Sequence, residues 1–253
     1  GYTNKSVGGK IGTKYEVYED IYFRPNLNIQ SDKLETGSTA SSLLKSRQGT
    51  TLTTGVGYNF FVDLRDSRYN PTAGSVSYFE QNIATLVSDI PAIQTNVGST
   101  YYKELFSEKY IGSAKIRLSN SAALDNKNVK ISDRLYPSQT DLRGFELRGV
   151  GPVDGGDHIG GNYLATLSLK STFPNPIPDN FKANSYLFYD AGNVWGVDYS
   201  DIISGSSKIR SSTGVALDFM SPLGPLSFTY AIPLSKASTD KQQNFLFNIG
   251  SSF

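Results

Sequence analysis

The chain has no cysteine and only one histidine (His158), one methionine (Met220) and one tryptophan (Trp195) among its 253 residues. Without cysteine there is no disulfide staple, no thiolate zinc site and no thiol nucleophile, although cysteine-free chains fit many compartments, an oxidising periplasm included. A single histidine excludes multi-histidine metal centres. An excess of charge of one sign is also lacking: 24 basic and 23 acidic residues leave a net charge of +1. That balance removes the electrostatic argument for nucleic acid as a partner. No run of about 18 apolar residues occurs, so no segment reads as a membrane-spanning helix. No nucleotide motif is present, and no cofactor is expected. The chain starts without methionine and shows neither a signal peptide nor a targeting tail, so it reads as a mature or cut piece of something longer.

What is abundant is tyrosine (16), phenylalanine (14) and glycine (24), combined with a mean hydropathy of −0.31 and polar residues at every second place. From Ser6 to Tyr18, Val7, Gly9, Ile11, Thr13, Tyr15 and Val17 share one face while Lys10, Lys14 and Glu16 lie on the other. A second run sets Ile21, Phe23, Leu27 and Ile29 against Tyr22, Arg24, Asn26, Asn28 and Gln30, with Pro25 removing a ladder donor. Ser31 to Ser46 reads as a polar loop. Leu52 to Phe60 resumes the alternation, and Asp63 to Gly74 is a turn whose acids and arginines are placed for charge-assisted hydrogen bonds. Ser75 to Leu86 has no assignable facing, because Tyr78 and Phe79 are both aromatic. Further strands are expected over Val97–Phe106, Ile111–Ser121, Tyr163–Phe173, Ala183–Trp195, Ile209–Met220, Leu226–Leu234 and Asn244–Phe253, with a stiff proline turn at Pro174–Pro178.

About eleven strands result, at the spacing of an all-β barrel or sandwich. Most runs reach the 9–11 residues that a lipid-crossing strand needs, longer than the typical strand of about 5–6 residues. Length and aromatic content therefore favour a transmembrane barrel, in which the even face of the first run lines the lumen. The alternative is a soluble sandwich with long polar faces in water.

The longest segment without strand alternation, residues 121–161, contains Asp141-Leu142-Arg143-Gly144-Phe145-Glu146. Gly144 permits a tight turn with positive φ, and Arg143 and Phe145 present a fixed cation and a large apolar plate that both need partners. Long connections of this kind are more often functional than not.

Several stretches taken together resemble the C-terminal barrel of the BamA-type family of outer-membrane assembly factors. They are Tyr2 to Ser6, the Asp63–Gly74 turn, Leu142-Arg143-Gly144-Phe145, Tyr189 to Trp195, Met220 to Ala231, and Phe245 to Phe253, in family order along residues 1–253. The resemblance implies an all-β, transmembrane antiparallel β-barrel portion, about 11–12 strands of a sixteen-stranded family barrel, with the N-terminal strands and periplasmic domains absent. It implies that loop 121–161 folds inward as a strut in which Arg143 meets Asp190, with Phe188 two residues earlier supplying a cation–π face. Many relatives carry an acid where this chain has Lys170, which leaves Glu146 as a substitute second partner for Arg143. Phe245, Phe247, Ile249 and Phe253, at alternate positions of the last run, resemble the terminal signal of outer-membrane barrels and one side of the family's seam.

The implied function is non-enzymatic: insertion and folding of outer-membrane proteins in a Gram-negative outer membrane, by strand addition at the seam and local thinning of lipid. The implied partners are outer-membrane lipids, unfolded outer-membrane protein substrates and periplasmic lipoproteins. Alternatives are a polypeptide-translocation pore of the same superfamily and the membrane anchor of a secreted hydrolase. His158, in Gly155-Gly156-Asp157-His158-Ile159-Gly160-Gly161, has no nucleophile elbow beside it and is expected to be a solvated loop residue.

Overall fold

A computed structural model describes residues 1–84, 87–107, 109–174, 183–198, 207–221 and 224–249. Phe253 and most of the proline turn at 174–178 lie outside the described residues. The strands are β1 (Tyr2–Gly12), β2 (Tyr15–Tyr18), β3 (Ile21–Thr36), β4 (Gly49–Asp63), β5 (Gly74–Ala84), β6 (Ala92–Glu104), β7 (Ile111–Ala123), β8 (Gly144–Phe145), β9 (Val153–Asp154), β10 (Asp157–His158), β11 (Tyr163–Phe173), β12 (Asn184–Trp195), β13 (Arg210–Ser221), β14 (Gly224–Ser235), β15 (Gln242–Gln243) and β16 (Phe245–Ile249). One short helix, α1 (Ser42–Ser46), follows β3.

Twelve of these strands form one sheet in the order β1-β3-β4-β5-β6-β7-β11-β12-β13-β14-β16, with β2 continuing β1 along the edge of β3. All neighbours are antiparallel. Among the described residues the two edge strands, β1 and β16, do not pair with each other. The expected first run is broken at Thr13–Lys14, opposite Pro25. The Thr13 amide donates to the Pro25 carbonyl at 3.1 Å, so the donor that proline lacks would have pointed at this break. Pro25 therefore sits inside a sixteen-residue strand without orphaning a partner. The stretch from Ser31 was expected to be loop but stays in β3 to Thr36, where it pairs with both β1 and β4. A polar face in a barrel strand carries no loop signal, because it looks into the interior.

Two-residue periodicity places one apolar stripe on the outside: Val7, Ile11, Leu27, Ile29, Val56, Phe60, Leu118, Leu167, Leu187 and Val215 are all exposed. The ambiguous strand β5 is settled by its neighbours. Phe79 joins this outer face opposite Phe60, and Tyr78 turns inward over Gly98, where a Cβ would come within 2.4 Å of its ring. The 64–73 turn closes on itself, with Arg65 donating to both oxygens of Asp63 at 2.7 and 3.0 Å and Asp66 accepting from the backbone of Ser67, Thr72 and Ala73. The Thr72 hydroxyl and these amides hold the Asp66 carboxyl down at about 2.

The connection from β7 to β11 lies over one face of β7, β11, β12 and β13, which we call the inner face. Two apolar clusters seat it. Leu135, Leu142, Phe145 and Val150 from the loop pack with Leu164 and Val194, and Ile131 and Ile159 pack with Leu34 of β3, Leu44 of α1 and Ala40 between them.

Candidate functional site

Arg143 is held at the centre of the covered inner face. Leu142 and Phe145, buried on either side of it, fix the height of the loop, and Gly144 has φ +89°, which lets the chain reverse there. The Arg143 guanidinium donates to Asp190 through Nε at 2.7 Å and Nη2 at 2.6 Å, and the Arg143 backbone amide donates to the same carboxylate at 3.0 Å. Nη2 also donates to the Ser168 hydroxyl at 2.8 Å. The Phe188 ring lies beneath the cation, 3.7 Å from centroid to Cζ. The Ser212 hydroxyl donates to the Arg143 carbonyl. Asp190 is fully buried and Arg143 nearly so. The planar fork, two carboxylate oxygens and the aromatic plate together specify arginine; a lysine ammonium would satisfy one of these contacts at a time.

The structure thus brings together Arg143, Gly144, Phe145, Phe188 and Asp190. It does not bring Glu146, which is exposed. The second polar partner of Arg143 is Ser168, one inward position along β11 from Lys170. Lys170 rises instead over the Tyr186 ring, at 4.8 Å. Phe245, Phe247 and Ile249 lie on the outer face of β16, 43–61% exposed, with Phe247 stacked on Phe228 at 4.7 Å. They make no contact with the Arg143 site.

Three features escaped the sequence reading. Asp141, two residues before Arg143, accepts from Lys115 Nζ at 2.7 Å and Arg117 Nη1 at 2.8 Å, both on β7. Burial works against its charge, but Lys115, Ser138 and Arg117 outweigh it and hold the carboxyl below its ordinary range. The signal available was the pair of basic residues on the inner side of β7.

Arg210 and Asp240, both fully buried by side chain, form a second forked pair at 2.8–2.9 Å. It ties the 236–244 connection to the start of β13. The same connection is stitched to the loop through β15–β8 pairing and through Glu146 N to Lys241 O at 3.0 Å. His158, expected in solvent, is buried. Its carbonyl accepts from the Tyr2 and Tyr136 hydroxyls, and burial together with the Lys241 charge lowers its pKa. Glycine on both sides lets the chain fold back and cover it, which composition alone reads as looseness.

The antiparallel sheet that carries this site is shared with known proteins. The whole chain, residues 1–253, matches the Omp85 superfamily domain. The chain belongs to the Omp85 superfamily.

Among curated Omp85 relatives, an outer membrane protein assembly factor BamA from Neorickettsia risticii is 26% identical over all of this chain and 34% of its own length. A BamA from Neisseria meningitidis serogroup B is 34% identical over 44% of the chain and 17% of its own length. The sorting assembly machinery 50 kDa subunit of Saccharomyces cerevisiae is 26% identical over 84% of the chain and 46% of its length. The crystal structure of Haemophilus ducreyi BamA lacking POTRA domains 1–3 superposes with a TM-score of 0.84 at 24% identity, covering 97% of this chain and 54% of that one. The chain therefore spans about a third to a half of the length of the relatives that it matches along most of its own.

Proposed function

We propose that this Omp85 chain is the C-terminal barrel portion of an outer-membrane assembly factor, which inserts and folds β-barrel proteins in a Gram-negative outer membrane. The observation that carries the reading is the Arg143–Asp190 lock. It holds a long loop against the inner wall in a chain whose full length is similar to proteins named as such factors. The lock seats a rigid floor on β11–β13 and leaves the terminal strand β16 at the sheet edge, with main-chain groups available to an incoming strand. The substrates are unfolded outer-membrane proteins, and outer-membrane lipids surround the apolar stripe. Periplasmic lipoproteins are the expected partners of such an assembly factor. The module is non-enzymatic, and folding of the substrate supplies the driving force.

The test uses the full-length protein in lipid vesicles with a urea-unfolded outer-membrane barrel as substrate. Faster appearance of the heat-modifiable, protease-resistant substrate is the expected result. Equal rates with and without the protein refute the reading.

A further inference from the structure

On the outer face, β7, β11 and β12 line an open apolar groove of about 610 Å³, bordered at its loop end by Pro152, Val197, Ser207 and Ile209, within the roughly 300–1,000 Å³ of pockets that hold a small ligand. Its origin is a local change of side-chain size along the lipid-facing rows. Ala165 stands between Leu118 and Asn193 in the register, and Ala191 between Leu167 and Ser211. Large outward residues on either side, Leu118 and Leu167 against Trp195 and Ile209, become walls around a floor of alanine. At the end nearer the loop, Trp195 lines the groove and stacks on Tyr163 at 5.9 Å.

We propose that this groove holds one hydrocarbon chain of a membrane lipid as a resident rather than an exchanging neighbour. The groove is continuous with the exposed stripe of Ile116, Leu118, Leu167 and Leu187, the surface that faces hydrocarbon in a transmembrane barrel, so the medium already present supplies the occupant. Bulk lipid is as apolar as leucine and provides no hydrophobic drive. Retention comes from dispersion contacts that a chain makes on three sides of a groove and on one side of a flat wall. Aromatic residues at a rim favour the interfacial region of the bilayer, so the lipid's glycerol or sugar end lies beside Tyr163 and Trp195 and its tail runs over Ala165 and Ala191.

Trp195 is the chain's single tryptophan and lies in the groove wall, so its fluorescence reports occupancy. The protein is reconstituted in phosphatidylcholine vesicles with increasing fractions of lipid brominated near the top of its chains. The expected result is quenching that saturates early, and that weakens by about threefold when Ala165→Leu and Ala191→Leu fill the floor. Val215→Leu, on the outer face away from the groove, leaves it unchanged. Equal quenching in the filled variant and the parent overturns the proposal, as does quenching that disappears with protein density because a second copy covers the site. Should the filled variant lose its heat-modified mobility, a diazirine-bearing fatty acid decides the matter in the parent protein. Labelling concentrated on the groove walls supports residence, and labelling spread evenly to Leu187 and Val215 rejects it.

Discussion

The inner face has two unlike halves. Under the loop, β11–β13 present Ser168, Asp190, Arg210 and Ser212, all at most 2% exposed, and each of these four meets a fixed partner. Across the sheet, β3–β6 present Asn26, Asn28, Asn59, Asn82 and Asn96, and the buried amide oxygens of Asn26, Asn59 and Asn96 have no partner among the described residues. Both halves are polar, and both face inward by the same two-residue rule. Coverage by the loop turns one of them into a protein core built from ions. The other remains a wall that suits water. A buried charge tolerates no loss of its partner, whereas an amide facing a wettable space tolerates its own removal.

The largest effect follows from cutting the covered half at its centre. Arg143→Ala leaves Asp190 charged and buried, and destabilises the folded barrel by about 3–5 kcal/mol; loss of heat-modified gel mobility checks this. Arg143→Lys recovers only part, because one ammonium replaces a fork. Arg210→Ala strands Asp240 in the same way, at about 3 kcal/mol, and frees the 236–244 connection. Limited proteolysis then cuts near Lys241 in the variant and leaves the parent intact.

A smaller change is expected at Gly144. With φ +89° and a Cβ that would lie 3.3 Å from Ala231 and Ser212, Gly144→Ala costs about 1–2 kcal/mol through backbone strain and crowding, read as a lowered urea midpoint. At His158 the pKa in the fold is below its ordinary value of 6.5. A depressed pKa contributes stability that is present above 6.5 and is lost as pH falls through the native value. Acidification from pH 7 to pH 5 therefore loosens the loop, and His158→Gln flattens that dependence in hydrogen exchange of residues 153–161. The smallest effect belongs to the open half. Asn96→Ala stays within about 0.5 kcal/mol of the parent, and a loss comparable to that of Arg143→Ala would erase the contrast between the halves.

Period-two alternation was enough to read the eleven positions of the sheet and to set Phe188 and Asp190 on the face opposite Leu187 and Tyr189, because side-chain direction in a strand is a local property of the backbone; it left the facing of β5 open. The Arg143–Asp190 pairing was legible only through family resemblance, since nothing in a separation of 47 positions along the chain measures the distance between them. Tertiary structure alone decided that Ser168 rather than Glu146 completes the arginine, that Lys115 and Arg117 converge on Asp141, that Asp240 finds Arg210, and that His158 is covered. In each case the partners come from different strands or loops. Their meeting depends on where a long connection lands on the sheet, which is settled by the sum of many weak apolar contacts rather than by any short stretch of chain.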